Sequence, residues 1–166
     1  MPDGTCIMDS WNIVEAIEKD YPLPSLQLDS PLREKGEGYS TSGRTALAPI
    51  YTPDVARWLL KEHSYAYWRE IRWKYLGMPL DQFEKEYGGG GKPYNEAAPY
   101  FQAITAILKE DAWRPFFMDS TIRCTDLIWA AFLVFCHRNG DDVLRSVLEA
   151  TGNGDVHLKL LGALEP

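Results

Sequence analysis

No C-x-x-C pair occurs anywhere in the chain, and its three cysteines, Cys6, Cys124 and Cys136, stand at no metal-like spacing. A disulfide framework and a cysteine zinc site are both excluded as organising devices, and the expected setting is a reducing, cytoplasmic one. Basic residues are in deficit: 17 Lys and Arg face 24 Asp and Glu, a net charge of −7. That field repels phosphate backbones and anionic lipid, so neither a nucleic acid nor a membrane is an expected partner. Long apolar runs are missing too. The most apolar stretch, Leu127 to Cys136, is half the length needed to span a bilayer. The first residues, Met-Pro-Asp-Gly-Thr, form neither a basic nor an apolar leader segment. G-x-S-x-G, H-E-x-x-H and a phosphate-binding loop are also lacking; Gly88-Gly89-Gly90-Gly91-Lys92 runs into Pro93, which has no amide for a phosphate. The three histidines, His63, His137 and His157, are scattered, so no metal is expected.

Aromatic residues, by contrast, are abundant, with six Trp, nine Tyr and six Phe among 166 residues. A chain of this length and composition folds around one real core. Thr5-Cys6-Ile7-Met8 reads as a short strand, and Trp11, Ile13, Val14, Ile17 and Tyr21 form a helical stripe that Ser10 would cap and Pro22 would end. From Pro22 to Tyr51, four prolines and three glycines among many Ser and Thr predict a linker with at most a short helix. Thr52-Pro53-Asp54 reads as a helix start, leading to Gly77 with Val55, Leu59, Tyr67, Ile71 and Tyr75 inward and a break near His63. Further helices are expected over Glu96–Asp111, from Cys124 to Arg138, over Asp141–Ala150 and from His157 to Leu164. The fold class is therefore mainly α, several helices behind one strand that has no partner in the chain. Such an edge could pair with a second copy, so a homodimer is possible on this reading.

The segment Gly4-Thr5-Cys6-Ile7-Met8-Asp9-Ser10-Trp11 resembles the end of the thioredoxin-like half of glutathione S-transferases, where a strand leads into an acid-serine pair. Tyr21-Pro22 and Pro24-Ser25-Leu26 are similar to the exit from that half. Tyr67 to Arg72, Leu76-Gly77-Met78-Pro79-Leu80, Phe116 to Thr121 and Thr125-Asp126-Leu127 resemble segments of the β-etherase-like and ustiloxin-pathway-type members. One departure stands at Arg123, where the family places the Ser or Thr of a capping box. The resemblance implies a transferase-type C-terminal helical bundle over 52–166, a linker over 25–51, and a remnant of the thioredoxin-like domain over 1–24. Most of that N-terminal domain, with the catalytic group, would then be absent, the catalytic residue unknown, and turnover with an aryl halide weak or nil.

Glutathione is the implied co-substrate, with Asp9 receiving its ammonium and Ser10 and the helix amides its carboxylate. The other reading of Ser10, of equal weight, is an N-cap and nothing more. A small-molecule electrophile is the implied second substrate, for conjugation or ether cleavage. Tyr65, Arg69 and Arg72, at i, i+4 and i+7, are the candidates for its pocket, being one aromatic and positive helix face in an acidic protein. A non-catalytic helical module on the same scaffold is the alternative, since fold does not fix function.

Overall fold

The computed structural model describes residues 6–110, 114–118 and 120–164. Among them the chain forms α1 (Ser10–Asp20), α2 (Pro31–Asp54), a π-helical turn (Val55–Leu59), α3 (Glu62–Leu76), α4 (Leu80–Tyr87), α5 (Lys92–Leu108), α6 (Cys124–Asn139), α7 (Asp141–Ala150) and α8 (Gly154–Leu164). The all-helical class is as expected, but no strand occurs among the described residues. Cys6 to Met8 are irregular, because a strand needs a ladder partner and the helices offer none; Thr5, expected to begin the strand, lies outside the described residues. The strand-pairing route to a dimer therefore has no element to act through among the described residues.

The largest difference is α2. Where a linker was expected, residues 31–54 make one 24-residue helix. Ser30 caps it by accepting from Leu32 N at 3.2 Å, and Pro31 occupies the first helical position, where no N–H is needed. Its glycines are packing positions: a Cβ at Gly36 would sit 2.8 Å from Thr125 of α6, and one at Gly43 only 2.2 Å from the ring of Phe101 in α5. Tertiary contact thus overrides weak helix propensity. Thr52 and Pro53, expected to start a helix, are buried inside the end of α2. Pro49 and Pro53 each withhold an N–H from the helical ladder, and the chain loosens there into the π turn before restarting at Glu62. That break falls at Leu60-Lys61 and rephases the stripe, so Tyr67, Ile71 and Tyr75 of α3 face solvent, not the core.

Gly43→Ala should lower stability by about 1–3 kcal/mol, because the Phe101 ring is fully buried and has nowhere to retreat. Gly38, with open space around it, is the internal control, and Gly38→Ala should stabilise by about 0.5–1 kcal/mol. Urea midpoints moving in the same direction for both would contradict this account.

The core lies between α2, α5, α6, α7 and α8, around Leu47, Phe101, Ile104, Trp129, Leu133, Val147 and Leu160. Phe101, Trp129 and Phe132 form a triangle with ring centroids 5.3–5.8 Å apart. One polar network crosses it. The Trp129 indole N–H donates to His157 Nδ1 at 2.9 Å, so the neutral ring carries its proton on Nε2 and donates to Thr105 Oγ1 at 2.8 Å. Thr105 Oγ1 in turn donates to the Thr151 carbonyl at 2.8 Å. This chain ties α8 to α6 and α5.

Asp126, fully buried at the third position of α6, accepts Arg123 N–H at 2.7 Å and Phe117 N–H at 2.8 Å. The acid half of a capping box is therefore present although Arg123 stands at the cap. The Arg123 guanidinium donates to the Ser25 carbonyl, and Cys124 N–H to that of Leu26, joining the start of α6 to the segment after α1. No helix among the described residues is long and apolar enough to cross a membrane.

Candidate functional site

The acid-serine pair sits at the start of α1. Asp9, rather than Ser10, is the cap: its Oδ1 accepts from Trp11 N at 2.9 Å, while Ser10 is the first helical residue. Serine and aspartate cap equally well, so the sequence alone left the two indistinguishable. Asp9 pays for the position with φ of 75°, a left-handed conformation rare for a non-glycine residue, and both side chains are exposed. One Asp9 oxygen is thereby committed to the helix.

No residue of α1 is buried, and polar ties hold it to the bundle. The Arg33 guanidinium of α2 lies 4.7 Å over the Trp11 ring. Glu18 accepts Ser25 Oγ–H at 2.6 Å and Leu26 N–H at 2.9 Å, and these hydrogen bonds, led by Ser25, hold its carboxyl below the usual range. An open depression of about 670 Å³ lies beside them, lined by Trp11, Glu15, Glu18, Gln27, Asp29 and Arg33.

The expected co-substrate residues are elsewhere. Tyr65, Arg69 and Arg72 lie on α3, which meets α2 at its far end, where Trp68 Nε1 donates to the Thr52 carbonyl at 3.4 Å. From Arg33 to Thr52 is about 28 Å along the α2 axis at about 1.5 Å per residue. The structure therefore does not bring Asp9 and Ser10 together with Tyr65, Arg69 and Arg72. The latter three also differ in their surroundings. Arg69 is engaged by Tyr65 Oη and by Asp81 Oδ2, both at 3.0 Å. Arg72 alone lines a cavity of about 590 Å³ between α2, α3, α4 and α5, walled by Tyr51, Trp68, Tyr75, Phe83 and Tyr87.

Nearer to α1, a groove of about 400 Å³ runs between α2 and α6, lined by Thr41, Arg44, Tyr51, Ile128, Phe132 and Phe135. Arg33, Glu37, Thr41 and Arg44 recur at i, i+4, i+8 and i+11, so one stripe of α2 leads from beneath Trp11 to this groove. Arg33 pairs with Glu37 at 2.6 Å, and Arg44 donates to Thr41 Oγ1 at 3.3 Å. The Tyr51 ring meets Phe135 edge-on at 5.3 Å. Burial raises the Tyr51 hydroxyl pKa, against the opposing fields of Arg44 and Arg72, so Tyr51 stands between the groove and the cavity as a neutral phenol. Sequence reasoning missed Thr41, Arg44 and Tyr51. The signal was their helical spacing, hidden by treating 25–51 as a linker.

Among the described residues, no three His, Cys, Asp or Glu side chains converge as metal ligands. No curated protein and no solved structure matches the chain. A family model does: that of the glutathione S-transferase C-terminal domain, over residues 38–154, which takes in α5, α6 and α7 whole and most of α2. With an all-helical bundle whose central helix opens on a buried acid, the chain belongs to the glutathione S-transferase C-terminal domain family.

Proposed function

We propose that the chain is the helical, co-substrate-binding part of a glutathione S-transferase-like protein of the β-etherase-like or ustiloxin-pathway type, serving glutathione conjugation or glutathione-dependent ether cleavage in the complete enzyme. Residues 1–24 are read as belonging to its thioredoxin-like side and the helical domain as starting at Pro31. The cytoplasm is the compartment this reading implies. Asp9 and Ser10 take the γ-glutamyl end of glutathione: the free oxygen of Asp9 receives the ammonium, while Ser10 and the α1 amides receive the carboxylate. The electrophile lies in the α2–α6 groove, on Thr41, Arg44 and the rings of Phe132 and Phe135.

The observation that carries this reading is the stripe on α2. Arg33 touches α1, and Thr41 lies about 12 Å further along the helix, close to the roughly 10 Å that an extended tripeptide spans. A glutathione held at α1 can thus present its thiol side toward the groove, whereas the α3 residues are out of its reach. The group that lowers the thiol pKa is not assigned to any of these residues, so the chain by itself is expected to show little turnover.

Calorimetric titration with glutathione and with S-(4-nitrobenzyl)glutathione tests the reading. The conjugate should bind about tenfold tighter, the gain from burying one aromatic ring. Ser10→Ala should abolish both affinities while leaving the melting temperature nearly unchanged, since Asp9 is the cap. Arg44→Ala should remove only the advantage of the conjugate. Absence of any binding by the wild-type chain would favour the non-catalytic module, for which the exposed Tyr67, Trp73 and Tyr75 of α3 offer a surface.

A further inference from the structure

The cavity at the far end of α2 has a chemistry of its own. One arginine, Arg72, lines it; Arg57 and Arg69, on the neighbouring segments, are not in its wall and are paired, Arg57 with Glu84 and Asp54 and Arg69 with Asp81. Arg72 has no carboxylate partner among the described residues. Its guanidinium lies 4.1 Å over the Trp68 ring, and its Nε is buried with no acceptor among the described residues. A buried donor left unmet is costly, and most are satisfied by protein or by something bound. At the rim Lys92 is engaged with Glu96 at 3.8 Å, so Arg72 is the cation the cavity offers. The other walls are largely aromatic and apolar, with Trp68, Tyr75, Phe83, Tyr87 and Pro49, and Thr45, Thr52 and the Lys92-paired Glu96 complete the lining. About 590 Å³ is the size of a small-molecule site, and this pairing of flat rings with one planar guanidinium fork is what recognises a planar aromatic carboxylate.

We propose that this cavity is a second ligand site, for an aryl carboxylate, separate from the glutathione-dependent site and independent of its assignment. The carboxylate lies against Arg72, which keeps its stacking on Trp68, and the ring enters between Tyr75 and Phe83. Tyr51 divides the cavity from the α2–α6 groove, so each compartment has its own arginine, Arg44 on one side and Arg72 on the other.

Calorimetric titration of the full chain with 2-naphthoate and with 2-naphthamide, its uncharged isostere, tests the assignment. The acid should bind one per chain and the amide at least tenfold more weakly. Arg72→Gln should reduce the affinity for the acid by at least tenfold and bring acid and amide level, with an unchanged circular dichroism spectrum. Arg72→Lys, which keeps the charge but not the fork, should fall between. Ser10→Ala and Arg44→Ala should leave naphthoate binding as in the wild type, whether or not the chain binds glutathione. Equal affinity for acid and amide, no binding of the acid at millimolar concentration, or loss on Arg44→Ala matching that on Arg72→Gln would each overturn the proposal.

Discussion

Asp126→Ala should cost about 3–5 kcal/mol of unfolding free energy. Its carboxylate accepts two main-chain N–H groups, Arg123 at 2.7 Å and Phe117 at 2.8 Å, from a position with no solvent exposure. Hydrogen bonds to a charged acceptor contribute about 1.5–3 kcal/mol each, and alanine leaves both donors without that acceptor in a place water does not reach. The loss extends beyond the pair. Phe116 and Phe117 are buried because Asp126 holds their backbone against α6, and the negative charge also faces the positive end of the α6 dipole. Asp126→Asn, which retains one carbonyl acceptor but no charge, should lose about half as much. Urea unfolding followed by circular dichroism measures both variants, and an alanine variant within about 1 kcal/mol of wild type would show that the two hydrogen bonds are dispensable.

The second large effect is acid sensitivity arising at one buried ring. Desolvation pushes the His157 pKa down from 6.5 to about 4. Protonation would also place an N–H on Nδ1 against the Trp129 indole N–H, destroying the 2.9 Å hydrogen bond. Because the folded pKa lies below the unfolded one, the unfolded chain takes up the proton first. The contribution is complete above pH 6.5 and is lost as pH falls from 6.5 toward 4, by about 3 kcal/mol in all. Below about 4 this group adds no further loss. His157→Gln can accept from Trp129 and donate to Thr105 without titrating, so its stability should converge on that of wild type, or pass it, as the pH drops through this window. Parallel stability profiles for the two proteins between pH 7 and about 4 would refute the assignment.

The C-terminal half of the fold was legible because its punctuation is local. Asn139-Gly140 ends α6 and Gly152-Asn153-Gly154 separates α7 from α8, so the expected Asp141–Ala150 helix is found with the same bounds. In α5 the inward positions Phe101, Ile104, Ile107 and Leu108 are buried as their spacing implies, with only Tyr100 turned partly outward. The α2 helix was illegible for the opposite reason. Gly36 and Gly43 read as breakers until Thr125 and Phe101 are seen against them, and those neighbours are 89 and 58 residues away in the chain. Pro31 and Pro53 look alike as helix starts, yet one opens α2 and the other is buried near its end.

The site was legible in part. Asp9 and Ser10 do stand at a helix start, but which of them caps it depends on the backbone turn at Asp9, which side-chain type does not encode. Arg72, picked out by charge and spacing, does line a cavity; its distance from Asp9 followed only once α2 was a helix and not a linker.

The loose seating of α1 has an energetic consequence for any ligand it receives. With no buried side chain, α1 belongs to the least protected part of the molecule, and its amides should exchange with solvent through local opening at far lower free energy than those of α5 or α6. A ligand at its N-terminus then binds only the fraction of molecules in which the Glu18–Ser25 and Trp11–Arg33 contacts are closed, and its apparent affinity is diluted by that fraction. Anything that clamps α1 onto α2, a neighbouring domain included, would tighten the binding proposed for Asp9 and Ser10 without touching the ligand.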